Sequence, residues 1–121
     1  MLRMELHSRD SVTVIRCTGR ILFGNDCTAL DEEVRVALRR TPKIVLNLGG
    51  VDYIDSAGQG TIVGLRTSAV KAAGDVKLSN VTKRVHALLH VSMLLTMFEV
   101  YDEEEQAIVA FGASPPAAGR A

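Results

Sequence analysis

The chain has 121 residues, 47% hydrophobic and 23% charged, with a formal net charge of zero and no tryptophan. A chain of this length forms one domain and buries roughly two-thirds of its unfolded surface, enough for a core without disulfides or metal. Balanced charge argues against a nucleic-acid-binding surface, and no apolar run reaches the ~20 residues of a membrane span. Cys17 and Cys27 fall within predicted regular elements, as core thiols of a reducing compartment do. We therefore expect a cytoplasmic protein that binds neither nucleic acid nor membrane.

The first twenty residues predict a β-hairpin. Apolar and polar residues alternate from Leu2 to Leu6, which indicates a half-exposed strand. The β-branched run Val12–Thr18 indicates its antiparallel partner, and Gly19 is expected to end that strand. An irregular connection then leads to Gly24.

A helix is predicted after this connection. Apolar residues recur at helical spacing from Cys27 to Leu38, and Asn25 or Asp26 is expected to cap the amino-terminal end. Pro42 follows shortly after the last apolar position, so the helix must stop before it.

The central stretch predicts a buried strand followed by a helix. The apolar run Ile44–Leu48, bounded by the expected turn Gly49–Gly50, is typical of a short strand buried on both faces. Residues 57–73 continue with a helical pattern whose buried stripe begins with small residues, and Gly74 is expected to end it. Ser56 therefore lies at a helix start, where free backbone N–H groups and the helix dipole favour an anion such as a phosphate.

The remaining residues predict two more strand–helix pairs. Val76–Leu78 is a short strand, and Thr82 is expected to cap the helix that follows. Phe98–Val100 is the next predicted strand, and Asp102 is expected to cap a final short helix. The small residues and prolines of 112–121 predict a disordered tail.

Strands and helices alternate after the opening hairpin, which favours parallel strand pairing with right-handed crossovers. The hairpin adds one antiparallel pair. The predicted fold is therefore a single α/β domain with a small mixed β-sheet, extending over residues 1–111.

Four catalytic sites can be tested against the sequence, and none is favoured. Ser56 lacks the first glycine of a nucleophile elbow, and the glycines after it lack the lysine of a phosphate-binding loop. His86 and His90 are four residues apart, but a third metal ligand is not evident. Asp52 and Asp55 flank a turn, where aspartates usually make turn and cap hydrogen bonds. We expect a protein that is not an enzyme and holds no cofactor or metal.

Ser56 has two interpretations that remain compatible. Ser56 and Gln59 match the S-x-x-Q capping box, in which each side chain satisfies a backbone donor of the other. A capping hydroxyl at a helix start is also accessible to a kinase, and phosphorylation would add about −1.5 to −2 charges beside Asp55. The fold should survive while the local surface changes sign, which is the behaviour of a binding switch.

The stretch Ile44–Gly60, with its D-S-x-G segment Asp55–Gly58, resembles the signature of STAS domains, the family of bacterial anti-sigma factor antagonists. The similarity runs from the first hairpin to about Phe111 and includes Lys77–Thr82 and Leu95–Tyr101. The resemblance implies a mixed sheet with helices packed largely on one side.

The resemblance also implies a partner switch. The unphosphorylated protein would bind an anti-sigma factor that is also a serine kinase, and so free a sigma factor. Phosphorylation of Ser56 would release the kinase, and a serine phosphatase would reset the switch. The protein would be a monomer or a weak homodimer. The alternative is a non-switching STAS interaction module in a signalling or lipid-transport complex.

Three positions depart from the family pattern near the expected docking surface. Ala57 replaces a common hydroxyl residue and leaves Ser56 as the acceptor, while Gln59 replaces a leucine and is expected to place a polar group on the partner-facing turn. Phe23 stands where an acidic residue is often found. The predicted partner-binding residues are Asp55, Ser56, Ala57, Gly58, Gln59, Phe23 and Asn25.

Overall fold

Residues 1–112, the part of the chain described by a computed structural model, form a five-stranded sheet and four α-helices. Except for Gly112, the tail predicted at 112–121 lies outside these residues. The elements in chain order are β1 (Arg3–Arg9), β2 (Val12–Ile21), α1 (Asn25–Leu38), β3 (Lys43–Ile54), α2 (Ser56–Lys71), β4 (Asp75–Ser79), α3 (Lys83–Val91), a 3₁₀ turn (Leu94–Thr96), β5 (Val100–Tyr101) and α4 (Glu104–Ala110).

The strands lie in the order β1-β2-β3-β4-β5. The hairpin pair β1–β2 is antiparallel, and each later neighbour pairs in parallel. The predicted α/β class and mixed sheet are therefore confirmed. The carboxyl ends of β2, β3 and β4 meet at one edge of the sheet, which carries the loops before α1, α2 and α3.

The core has two parts, one on each face of the sheet. Ile44 and Leu46 of β3 belong to the main cluster, which packs under α1, α2 and α3. Val45, between them, belongs to a smaller cluster with Ala107 and Ile108 of α4 on the opposite face. The prediction of a strand buried on both faces is confirmed. Burying each large apolar side chain contributes about 1.5–3 kcal/mol, so β3 anchors the domain.

The glycines predicted to end β2 and β3 do not end them. Gly19 lies inside β2 with φ +113°, at a shift of register, and a Cβ there would clash with the Met1 carbonyl oxygen. The pair Gly49–Gly50 lies inside β3, and a Cβ on Gly50 would be 2.8 Å from Thr18 Oγ1. These glycines allow close backbone approach within the sheet instead of forming turns. Both strands therefore continue to the site edge.

Helix caps agree with the sequence at α3 and differ at α1. The Thr82 hydroxyl accepts a hydrogen bond from the Val85 N–H at 3.3 Å, as predicted. Helix α1 begins at Asn25, so neither Asn25 nor Asp26 is its cap. The Asp26 carboxylate instead accepts hydrogen bonds from two backbone N–H groups outside the helix. The donors are Leu2 and Leu22, each at 3.1 Å.

The end of α2 also differs from the prediction. The helix ends at Lys71, and Ala73 takes the left-handed conformation with φ +68° that was expected of Gly74. Gly74 lies against Pro42, where a Cβ would clash with the backbone. The glycine is therefore needed for a close approach between two segments, and the left-handed residue is an alanine.

Two boundaries near the carboxyl terminus are shifted from their predicted positions. Strand β5 is formed by Val100–Tyr101 rather than Phe98–Val100, and Phe98 is buried in the main core. Helix α4 is capped by Glu103 and not by Asp102. The Gln106 side chain accepts a hydrogen bond from the Glu103 N–H at 3.0 Å, which satisfies one donor at the helix start.

Candidate functional site

The turn between β3 and α2 is held by Asp55, which is the amino-terminal cap of α2. Its Oδ1 accepts a hydrogen bond from the Gly58 N–H at 2.8 Å, and its Oδ2 accepts one from the Phe23 N–H at 2.9 Å. These backbone donors, Phe23 first and then Gly58, lower the pKa of Asp55 because they favour the charged carboxylate. The capping box predicted for Ser56 is therefore wrong, since the residue before it performs the capping.

Ser56 is the first residue of α2 and its side chain is exposed. Within residues 1–112, its hydroxyl makes no hydrogen bond. The hydroxyl stands at the positive dipole end of a sixteen-residue helix, where the Gly58 N–H is already bound by Asp55. It is therefore accessible from solvent, in an environment that tolerates added negative charge.

The start of α2 packs directly on the end of β2. Gly58 is buried, and a Cβ there would clash with the Ile21 carbonyl oxygen and the Ile54 side chain. Ala57 is half-buried beside it, whereas a Cβ on Gly60 would point into open space. The small residues let this end of the helix lie close to the sheet, as the sequence predicts.

Gln59 faces inward. Its side chain is 8% exposed, and its Nε2 donates to the Ile54 carbonyl oxygen at 3.4 Å. The Ser92 hydroxyl donates to Gln59 Oε1, which links α2 to the end of α3. The structure thus places this side chain in the interior, and not on an exposed docking turn as expected from the sequence.

Phe23 lies in the loop between β2 and α1, and Asn25 begins α1, at the same edge of the sheet as Ser56. The Phe23 ring is 83% exposed, while its backbone N–H is bound to Asp55. Asn25 is exposed at the first position of α1. One carboxylate therefore fastens the loop that carries an exposed aromatic ring to the turn that carries Ser56.

A polar recess borders this edge and was not identified as a site from the sequence. It has a volume of about 380 Å³ and is lined by Arg20, Asp52, Tyr53 and Arg84. Arg20 and Tyr53 are partners in the β2–β3 register. No sequence signal joins them, because the register depends on the irregularities near Gly19.

The part of the chain that the structure covers offers no further candidate for a metal site, a membrane-spanning helix or a reactive buried thiol. Residues 1–112 contain no group of three histidine, cysteine or carboxylate side chains placed to hold a metal ion. None of their helices is both long and apolar enough to cross a membrane. Cys17 is buried in the core as expected, and its burial raises its pKa to about 12, which makes the thiol unreactive.

Comparison with known proteins gives a consistent result. The STAS domain family matches residues 3–107. The anti-sigma F factor antagonist of Paenibacillus polymyxa is 27% identical over 108 residues, covering 88% of this chain and 92% of that protein.

Two solved structures show the same fold. An anti-sigma factor antagonist from Mycobacterium paratuberculosis has a TM-score of 0.80 at 18% identity, covering 93% of this chain and 95% of that one. The phosphorylated form of SpoIIAA, a Bacillus cell fate determinant, has a TM-score of 0.68 at 21% identity, with coverage of 91% and 98%. At these identities the likeness concerns the fold alone.

Proposed function

Because the chain belongs to the STAS domain family, we propose that it is an anti-sigma factor antagonist that works by partner switching. The unphosphorylated protein binds an anti-sigma factor that is also a serine kinase, and a sigma factor is freed. The kinase then phosphorylates Ser56 and is released, and a serine phosphatase resets the switch. The protein is a cytoplasmic substrate and competitor without catalysis of its own. The relative in Paenibacillus polymyxa, an anti-sigma F factor antagonist, supports this role.

The proposal depends mainly on the free hydroxyl of Ser56. Because Asp55 caps α2, phosphorylation of Ser56 removes no hydrogen bond from the helix start. The added charge of about −1.5 to −2 is offset by the helix dipole and opposed by the neighbouring carboxylate. The fold should therefore be retained while the surface around Asp55 and Ser56 becomes strongly negative.

The proposed docking surface consists of the exposed residues Phe23, Asn25 and Ser56, together with the half-buried Asp55 and Ala57. Exposed aromatic rings are frequent anchors of protein interfaces, and the backbone of Phe23 is already fixed. A phosphate near this ring would have to lose its hydration when the partner docks, which disfavours the complex. Gly58 and Gln59 support the surface from below.

The first test is a matched pull-down from the source cell's lysate with wild type, Ser56→Asp and Ser56→Ala as baits. An ATPase-type kinase should be retained by wild type and by Ser56→Ala, and lost by Ser56→Asp. Wild type recovered after incubation with that kinase and ATP should carry one phosphate, on Ser56, by mass spectrometry. The same partners on all three baits would instead identify a non-switching interaction module.

A further inference from the structure

The recess beside the proposed docking surface contains two guanidinium groups and one carboxylate. Arg20 and Tyr53 belong to β2 and β3, and Arg84 lies in the first turn of α3. The recess is therefore built by three elements at the carboxyl edge of the sheet. Its charge balance is positive, with Asp52 as the acidic member.

Arg84 is positioned by an aromatic ring and not by an ion pair. Its guanidinium carbon lies 5.1 Å from the centre of the Tyr53 ring. Among the described residues, none of the ion pairs includes Arg84. A guanidinium held over an aromatic face keeps the N–H donors along its edge available for an acceptor.

Arg20 is also incompletely paired. Its Nε is 3.9 Å from Asp52 Oδ1, beyond hydrogen-bond distance, and the two side chains are 61% and 72% exposed. By contrast, Arg16 binds both oxygens of Glu104 at 2.9 and 2.8 Å. Arg20 can therefore accept a better-placed carboxylate without losing a strong bond.

We propose that this recess receives an acidic side chain of the docking partner, with its carboxylate held between Arg20 and Arg84. The planar guanidinium edge matches a carboxylate in two-point geometry. The exposed lining would leave much of a free metabolite in solvent, whereas small-molecule sites bury most of their ligand. A side chain presented by a protein is already carried to the recess by the rest of its interface.

The position of the recess supports a protein partner. The chain runs from Arg20 directly into the loop of Phe23, and Tyr53 precedes Ser56 by three residues. A partner that docks on Phe23 and Ser56 thus meets the recess at its rim. This inference rests on the proposed function, because it requires a partner that docks there. Exposed rim charges act mainly through the association rate and its salt dependence.

The first experiment uses the kinase recovered with wild type, measured by surface plasmon resonance. The variant Arg20→Ala/Arg84→Ala should associate roughly tenfold more slowly, with a weaker salt dependence. The matched control is Arg39→Ala/Arg40→Ala, which removes two exposed arginines at the other end of α1 and should leave association unchanged. Unchanged association in the recess variant would overturn the inference while leaving the switch at Ser56 intact.

A second experiment needs no kinase and separates the two proposals. A blocked polyglutamate peptide is titrated into the ¹⁵N-labelled protein, and the arginine side-chain Nε–Hε signals are followed by NMR. Saturable shifts are expected at Arg20 and Arg84 and not at Arg39. Absence of such shifts, or tighter binding of inorganic phosphate than of the peptide, would overturn the carboxylate assignment even if the pull-down succeeds. If wild type retains no kinase, the partner switch fails, whereas this titration still shows whether the recess binds a carboxylate.

Discussion

Two carboxylates hold two different regions of this molecule together. Asp55 is bound by backbone N–H groups at the proposed docking surface, whereas Glu104 is bound by side chains on the opposite face of the sheet. Glu104 accepts hydrogen bonds from Arg16 at 2.9 and 2.8 Å and from Asn47 at 2.8 Å. Its pKa is lowered mainly by Arg16, whereas that of Asp55 is lowered mainly by the backbone N–H of Phe23.

The two sets of hydrogen bonds differ in what they determine, because one fixes the path of the backbone and the other adds to the stability of a packed face. Backbone donors fix the path of the chain, so the Asp55 bonds determine where the Phe23 loop and the start of α2 lie. The Glu104 bonds join α4 to β2 and β3, where Ala107 and Ile108 already pack on the sheet. The path of the chain at the proposed docking surface is thus set by backbone hydrogen bonds, whereas the α4 face is stabilised mainly by apolar burial.

The largest expected effect is on the α4 face. Ile108→Ala should lower the free energy of unfolding by about 2–5 kcal/mol, because the side chain is fully buried and its removal leaves a cavity. Urea unfolding followed by circular dichroism measures this, with the half-exposed Val109→Ala as the control. Amide signals of Phe23 and Gly58 should stay in place. Large shifts there would show that the two regions are coupled.

The next effect concerns the close packing of α2 on β2. Gly58→Ala should destabilise the protein by about 1–3 kcal/mol, because the new methyl group clashes with the Ile21 carbonyl oxygen. Gly60→Ala, two residues further along the same helix and in open space, should instead stabilise the protein by up to ~1 kcal/mol through helix propensity. Equal behaviour of the two variants in urea unfolding would contradict the close approach.

Removing the Asp55 bridge should have a moderate effect on stability and a local effect on structure. Asp55→Ala is expected to cost about 0.5–2 kcal/mol, as loss of a helix cap does. Hydrogen exchange should accelerate at the amides of Phe23 and Gly58, which lose their acceptor. The neighbouring Asp52→Ala is the control, since Asp52 is exposed and only loosely paired. Equal exchange rates at the Phe23 and Gly58 amides in both variants would show that Asp55 does not bridge the loop and the helix start.

Lowering the pH should reduce the stability that Asp55 and Glu104 contribute to the two regions. The pKa values of Asp55 and Glu104 are lowered in the folded protein, so the unfolded chain binds protons first as pH falls. Their contribution is present above their ordinary values of 3.8 and 4.5 and is lost as pH drops through the folded-state values. Unfolding free energy should decline less steeply in Asp55→Asn and Glu104→Gln. If the unfolding free energy of both variants declines with falling pH as steeply as that of wild type, these carboxylates are not the source of the acid sensitivity.

The smallest expected effect is at Ser56. Ser56→Ala should change the free energy of unfolding by less than about 0.5 kcal/mol, because the hydroxyl is exposed and bonds to nothing in residues 1–112. Under the proposed function, the same variant should abolish phosphorylation by the kinase recovered in the pull-down. A stability loss above about 1 kcal/mol in urea unfolding would mean that Ser56 caps the helix.

The alternation of strands and helices was enough to predict the fold, because apolar periodicity reports which elements exist. The cap of α2 was not predictable in the same way. Asp55 and Ser56 are adjacent and both suit a helix cap, so the choice depends on where β3 ends. That end lies beyond Gly49–Gly50, which reads as a turn in sequence but permits close strand approach in the sheet.

Tertiary contacts explain the remaining differences in the site. Gln59 faces inward because Ser92, 33 residues later, meets it at the end of α3. The recess depends on Arg20 and Tyr53, which become neighbours only through the strand register. A single sequence contains no local signal for either arrangement. In contrast, Phe23 was identifiable as a departure from the family pattern, and its exposed ring lies at the proposed docking surface.

The hydrogen bond between the Phe23 backbone and Asp55 also bears on the redesign of this protein. Because the bond uses the main chain of residue 23 and leaves the ring in solvent, the side chain there can be exchanged while the loop keeps its path. A library of variants at position 23 would therefore present different side chains to partners from one unchanged loop backbone. Under the proposed partner switch, such a library would yield variant pairs of antagonist and kinase that do not bind their natural counterparts, with Ser56 left unchanged as the proposed phosphorylation site.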